Sequence, residues 1–280
     1  MSGLALHSIL CNSKAKKLPM KKLFILFFCI GALGVSSCKK DSPVSPINTV
    51  STDYKGFVIE FTATWCPYCG TYGYPNWDPT FTAHPYKVTG ISCHPADGLV
   101  NANYPEGDTL ESIYGCTGYP TAGVNATGNG YPSDTYYNGL LNPAITANAQ
   151  AKAGIGLKTT VSGNTMTVDT KTVFFSDVSG KYNLAIYLTE DNLVYDQTTT
   201  TTSVLNAVHN HLFRGAAGHK AMGTQIVSSS ASKGTQLDAT YTVDIPSDVV
   251  NRSNLHVVVV LFKMNANGTR PTDVINSNTL

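Results

Sequence analysis

The sequence predicts an α/β domain followed by an all-β, immunoglobulin-like sandwich. Three observations support this. Apolar strand patterns at Phe57–Phe61 and Lys87–Cys93 alternate with short helical stretches as far as Lys152, the order expected of an α/β layer structure. From Gly154 the texture changes to short alternating strands parted by Gly, Asn and Ser, the pattern of an antiparallel sandwich. Its clearest unit is a hairpin, Gly156–Val161 and Thr165–Val168 around the turn Ser162-Gly163-Asn164. The 280 residues are enough for two cores, one in 53–152 and one in 153–280.

Composition narrows the function classes. Only 13% of residues are charged and the net charge is +1, so nothing points to nucleic acid or to an acidic partner. The polar surface comes from Ser, Thr, Asn and Gly, as is common in exported proteins. At the N-terminus, Met20-Lys21-Lys22 opens a charged region and Leu23–Leu33 is an apolar run too short to span a bilayer as a stable helix. It ends in Val35-Ser36-Ser37-Cys38, which resembles a bacterial lipoprotein box with Cys38 as the lipidated residue. On this reading 1–19 is an over-extended start, 20–37 a signal peptide and 38–52 a lipidated tether. Lys39-Lys40-Asp41 loosely resembles the export signal of surface lipoproteins in Bacteroidota.

Removing the leader discards Cys11 and Cys29, and lipid blocks Cys38. Cys66, Cys69, Cys93 and Cys116 remain, an even set suited to an oxidising compartment. The natural pairing is Cys66–Cys69 as a redox pair and Cys93–Cys116 as a structural bridge.

Cys66-Pro67-Tyr68-Cys69 follows the strand pattern Phe57–Phe61. A strand, a tight turn and then a helix place Cys66 at a helix N-terminus, where free N–H groups and the helix dipole favour a thiolate. Pro67 suits the first helical position. Cys69, one turn on along the same face, is within reach of a mixed disulfide formed at Cys66. The spacing taken alone is equally open to metal binding. Glu60 interrupts the apolar strand. It is either a buried proton acceptor for Cys69 or a solvated, edge-facing acid, and the strand pattern does not separate the two.

Beyond Cys69, Gly70, Gly73, Pro75 and Pro79 break the helix pattern, so a short helix, a kink near Pro75 and a second short piece are expected. Tyr72, Tyr74 and Trp77 either pack or build a lid, and packing is the commoner fate of such aromatics. Asp108-Thr109-Leu110-Glu111 has the form of a capping box starting a helix that runs to Tyr114. Gly118-Tyr119-Pro120-Thr121 is a turn feeding a strand, with Pro120 at its first residue. Tyr136–Ala151 is helix-like, kinked or split at Pro143.

Glu60-Phe61, Ala63 and Trp65-Cys66-Pro67-Tyr68-Cys69 together resemble the active-site strand and turn of the thioredoxin superfamily. Gly118-Tyr119-Pro120-Thr121 resembles that family's cis-proline loop, in the right order and about fifty residues on. The resemblance implies a thioredoxin-like first domain in which Cys66 attacks, Cys69 resolves, Glu60 is the buried acid and Pro120 faces the pair. It implies that Trp65 and the Tyr119 backbone meet the substrate. A Cys93–Cys116 bridge departs from the family pattern; Cys116 exchanging with the redox pair, or metal binding with His94, are the alternatives, the last disfavoured by irregular spacing.

The second half shows no catalytic constellation. Strands are expected at Lys181–Thr189, Leu237–Ile245, Leu255–Phe262 and Asp273–Ser277, and Thr198–Thr202 reads as a loop or exposed edge. His209-Asn210-His211 with His219 would place two rings on one face of a strand, but lacks an acidic or cysteine ligand nearby, which favours a structural role. With the lipoprotein box and the first domain, Tyr187-Leu188-Thr189-Glu190-Asp191 and Asn210-His211-Leu212-Phe213-Arg214-Gly215 resemble the outer-membrane-protein-28-like lipoproteins of Bacteroidota.

The expectation is an outer membrane lipoprotein, facing the periplasm or the cell surface. It acts as a thiol–disulfide oxidoreductase on the thiols or disulfides of exported proteins, held by its lipid anchor and needing no cofactor or metal. The competing expectation is a non-catalytic surface binding or adhesion lipoprotein, in which the same fold serves as a scaffold.

Overall fold

The computed structural model describes Ile47 and residues 50–280. The expected over-extended start, the expected signal peptide and Cys38 lie outside the described residues, as does most of the expected tether. Among the described residues no helix is long and apolar enough to cross a membrane.

The chain opens with β1 (Gly56–Phe61), whose six residues are all buried. A π-helical turn at Cys69–Gly73 runs directly into α1 (Tyr74–Ala83). Then come β2 (Val88–Cys93), α2 (Pro105–Tyr114), β3 (Thr121–Val124), β4 (Thr127–Gly130) and α3 (Asp134–Ala147). β1 pairs in parallel with β2 and antiparallel with β3, and β3 pairs antiparallel with β4. The expected kink near Pro75 is a change of helix type, because Pro75 sits in the first turn of α1 where its missing N–H costs nothing. α2 begins at Pro105, not at the expected capping box, and carries no side-chain cap. Proline in the first turn starts the helix, and Glu111 is drawn instead to the Tyr119 hydroxyl. α3 starts on Ser133, which accepts from the Tyr136 N–H, and it runs through Pro143.

The second half is all strand apart from two short 3-10 turns. It comprises β5 (Ala153–Ser162), β6 (Thr165–Phe174), β7 (Val178–Ser179), β8 (Lys181–Glu190), β9 (Leu193–Thr198) and β10 (Ser203–His209). β11 (Leu212–Ala216), β12 (Thr224–Val227), β13 (Ser230–Ala231), β14 (Gln236–Asp244), β15 (Leu255–Met264) and β16 (Pro271–Thr279) follow. The expected hairpin is β5–β6, paired from Ser162 opposite Thr165 back to Ala153 opposite Phe174. β14 adds to β6 to make a three-stranded sheet.

One nine-stranded sheet runs through both halves in the order β16-β15-β8-β11-β2-β1-β3-β4, with β12 on β8. The halves meet where β11 lies parallel to β2, Leu212 opposite Ser92, and Ser92 N–H donates to the His211 carbonyl at 2.7 Å. β8 and β15 are apolar without alternation because both faces are covered. Leu184, Ile186, Leu188, Val257, Val259 and Leu261 face the β5–β6–β14 sheet. Tyr187, Val258, Val260 and Phe262 share a second core with Phe57, Ile59 and Phe61 of β1 and with Leu110 and Tyr114 of α2. Val58, on the opposite face of β1, packs under α1 and α3 with Trp77, Tyr137 and Leu141.

Arg214 of β11 is fully buried where the halves join. Its guanidinium lies 2.8 Å from Glu190 Oε2 and 3.3 Å from Asp248, and it donates to the Leu99 carbonyl at 2.9 Å. Burying this charge is tolerable only because its partners are in place. Arg214→Ala leaves Glu190 buried and unpaired; it is expected to cost about 3–5 kcal/mol, read as a lowered denaturation midpoint in guanidinium chloride.

Candidate functional site

The site is built where β1 ends. Ala63 opens a turn in which Cys66 N–H donates to the Ala63 carbonyl, and Gly70 N–H donates to Cys66 O at 3.2 Å. Cys66 and Cys69 are joined by a disulfide, with Cα atoms 5.2 Å apart. The Cys69 N–H points at Cys66 Sγ, 3.1 Å away. This is the helix-start geometry that favours negative charge on Cys66 once the bond is opened. Cys66 Sγ also lies 3.7 Å from the Tyr119 carbonyl oxygen.

Pro120 follows a cis Tyr119–Pro120 peptide and is buried. The Tyr119 hydroxyl donates to Glu111, and Thr121 Oγ1 donates to Gly118 O at 2.6 Å, so the loop is tied at both ends. Glu60 is 2% exposed, and its Oε1 has no hydrogen-bond partner. A side chain on Gly73 would run into Glu60 Oε1 and touch Pro120, so the acid lies under the π-helical turn. Burial, with Asp78 adding to it, pushes the Glu60 pKa up to about 8. The two readings of Glu60 left open by the sequence are thereby separated: the acid is buried.

Cys66 itself is only 4% exposed, whereas Trp65 and Tyr68 on either side of it are 55% and 59% exposed. Trp65 packs against Tyr119, and Tyr68 stacks on Tyr72, which meets Tyr131. The aromatics beyond Cys69 therefore divide. Trp77 joins the core under α3, Tyr74 lies against His209, and Tyr72 forms part of an exposed rim beside the disulfide.

Cys93 and Cys116 are free thiols. The expected bridge between them is not formed: Cys93 is buried at the end of β2, and Cys116 turns its thiol to the Gly118 carbonyl at 3.4 Å. Burial raises the Cys93 thiol pKa well above its ordinary value, which makes it inert. His209 and His211 do not share a strand face. His209 closes β10 and His211 takes a left-handed conformation before β11, so one ring meets His94 while the other stacks on Phe81. Among the described residues no group of three or more His, Cys, Asp or Glu is placed to hold a metal ion.

Residues from the second half complete the site, and the sequence had not marked them. The β9–β10 ribbon lies on the disulfide turn. Gln197, 1% exposed, brings Nε2 to 3.1 Å from the Ala63 carbonyl, 3.2 Å from that of Thr64 and 3.4 Å from that of Cys66. Thr198 N–H donates to Thr64 O at 2.8 Å, and Thr71 and Thr200 hydroxyls meet at 3.0 Å. On the other side Asp97 accepts from Thr64 N–H at 2.9 Å and from His94 Nδ1 at 2.8 Å. Burial alone would raise the Asp97 pKa, but His94 and the N–H groups of Thr64 and Leu99 outweigh it and bring it to about 2. A polar side chain in a half-exposed ribbon carries no local signal of this kind; only the pairing of distant segments reveals it.

Residues 107–278 match the outer membrane protein Omp28 family. The chain belongs to that family. The match begins within α2 and runs through β16, so the Cys66–Cys69 turn and Glu60 precede it while Gln197 and the ribbon fall within it. Among solved structures the chain is similar to HBP35 of Porphyromonas gingivalis, with 16% identity, a TM-score of 0.64, and coverage of 83% of this chain and 76% of that one. A second structure, CsgH of R. palustris, is matched at 12% identity over 46% of this chain and 90% of that one, with a TM-score of 0.21. At that TM-score the likeness does not extend to the fold. A comparison with curated proteins finds no match.

Two predictions follow from this geometry. Glu60 in the folded chain keeps a proton that the unfolded chain releases above its ordinary value of 4.5. Its contribution is therefore complete below that pH, and stability falls as pH rises toward about 8. Between pH 5 and pH 9 the wild-type melting temperature is expected to drop more than that of Glu60→Gln, with a gap of about 2 °C or more at pH 9. At Gly70 any Cβ would overlap the Thr198 carbonyl. Gly70→Ala is expected to push the ribbon off the turn at about 1–3 kcal/mol, measured by urea denaturation of the oxidised protein.

Proposed function

We propose that the chain is a thioredoxin-like thiol–disulfide oxidoreductase of the outer membrane, held by lipid on Cys38 and acting on the disulfides of exported proteins. The observation that carries this reading is the unpartnered, buried Glu60 carboxyl under the turn that joins Cys66 and Cys69. A scaffold has no use for such a group, because an orphaned buried acid costs stability. The order β2-β1-β3-β4, one parallel and two antiparallel pairs, and the Tyr119-Pro120 loop beside Cys66 support the thioredoxin-like reading. Val35-Ser36-Ser37-Cys38 supports the lipid anchor.

In this mechanism the reduced Cys66 thiolate attacks one sulfur of a substrate disulfide. A Cys66–substrate disulfide forms and the other substrate sulfur leaves as thiolate. Glu60, protonated at rest near pH 7, first releases its proton. The carboxylate then takes the proton of Cys69, which attacks Cys66 Sγ. The Cys66–Cys69 bond forms, and the second substrate thiolate is released. Two electrons pass from the protein dithiol to the substrate, and a thiol reductant must restore the pair. Trp65 and the Tyr119 backbone flank Cys66 on the substrate side.

A second reading, a binding lipoprotein built on a stapled scaffold, draws on the 4% exposure of Cys66. Insulin reduction in the presence of dithiothreitol separates the two. The oxidoreductase reading expects catalysis that Cys66→Ser abolishes. No acceleration by wild-type protein, with Cys66 inert to a thiol probe after mild reduction, leaves the scaffold reading.

A further inference from the structure

Glu60 lies under the π-helical turn, and the fold leaves an opening to it. A narrow cleft of about 20 Å³, room for about one water molecule, reaches Glu60 between α1 and the β9–β10 ribbon. Asp78, His94, Gln197, His209 and Asn210 line it. Such a space admits water, and Glu60 Oε1 has no protein partner that would hold its proton.

Two imidazoles stand in this cleft, and they differ in what they offer. His209 Nε2 is 3.2 Å from the Tyr195 carbonyl, so that nitrogen carries a hydrogen. Burial, with His94 beside it, lowers the His209 pKa to about 4, so it stays neutral near pH 7. His94 is oriented instead by a carboxylate: its Nδ1 is 2.8 Å from Asp97 Oδ2, and both side chains are buried. The Nδ1–H donates to Asp97, and this leaves Nε2 to accept. An Asp behind a His both sets the tautomer and stabilises the imidazolium that forms when a proton arrives. The remaining charged group on the cleft is Asp78 of α1, which is exposed and accepts from Asn210 Nδ2 at 3.0 Å.

We infer that this cleft is the proton route of Glu60, and that His94, held by Asp97, passes the proton between the buried carboxyl and solvent. The inference rests on the oxidoreductase reading. Ahead of the resolving step the protonated Glu60 carboxyl releases its proton through water in the cleft to His94 Nε2. The imidazolium is held by Asp97, and Nε2 gives the proton up through the cleft mouth to bulk water. The carboxylate then takes the proton of Cys69. No electrons move in this part, and Glu60 and His94 both end as they began. His94 acts through Glu60. One wall of the route, Gln197 and His209, comes from the segment matched by the Omp28 family.

The test uses the purified protein in a Cys116→Ser background, which removes the half-exposed free thiol. It is reduced, freed of reductant and mixed in stopped flow with the aromatic disulfide 5,5′-dithiobis(2-nitrobenzoate). The first thionitrobenzoate released reports Cys66 attack, and the release missing in Cys69→Ser reports resolution. His94→Asn, which keeps an N–H donor for Asp97, is expected to slow resolution by about tenfold or more. The first release should be unchanged, and added imidazole should restore the second. Resolution equal to wild type from pH 5 to pH 9 would overturn the relay, as would a slowing that imidazole does not reverse, which marks a structural role. Absence of the first release in wild-type protein would remove the oxidoreductase reading itself, and the relay with it.

Discussion

The junction at Arg214 is the constraint on which the rest of the structure depends. A guanidinium with no exposure is stable only if every partner stays in position. Here those partners come from three places: Glu190 at the end of β8, Asp248 ahead of β15, and the carbonyl of Leu99 in the loop after β2. Only one residue pair, Leu212 with Ser92, continues the sheet from β11 to β2. Arg214 reinforces that seam from the side and holds the loop that carries His94 and Asp97.

The disulfide turn is held in the same cooperative way. Its carbonyls at Ala63, Thr64 and Cys66 converge on one amide group, that of Gln197, and the Thr64 N–H is taken by Asp97. Backbone groups at a strand-to-helix turn need partners when they are buried. Here they find them in a ribbon more than 120 residues away in sequence and in the loop after β2. The close approach explains why Gly70 and Gly73 stand where a helix would favour other residues. One meets the Thr198 carbonyl and the other meets Glu60. The π-helical turn between them widens the helix where these contacts are made.

Electrostatics in the site follows from face alternation on β1. Phe57, Ile59 and Phe61 face the core shared with β8 and β15, so Val58 and Glu60 face the other way, under α1 and the disulfide turn. Once there, Glu60 has neither a cation nor a donor, and the neutral acid is favoured. Asp97, whose side chain is also shielded from solvent, has a histidine and N–H donors and stays ionised. Two carboxyls on either side of one turn thus differ in charge because only one of them is given hydrogen-bond donors.

Much of this was legible in the residues themselves. The runs Phe57–Phe61, Lys181–Thr189 and Leu255–Phe262 are strands because continuous apolar residues bury both faces, and Ser162-Gly163-Asn164 turns the β5–β6 hairpin because its glycine takes a positive φ. Cys66, Cys69, Glu60 and Pro120 lie together because each sits at or near a strand end in the same local unit. The tertiary structure decided what depends on long-range pairing. It joined β11 to β2 in one sheet, brought Gln197 and His209 to the turn, left Cys93 and Cys116 unbonded, and started α2 at Pro105. Periodicity records which face of a segment is buried, but not which distant segment covers it. The walls of the cleft and the partners of Arg214 are set by that second choice.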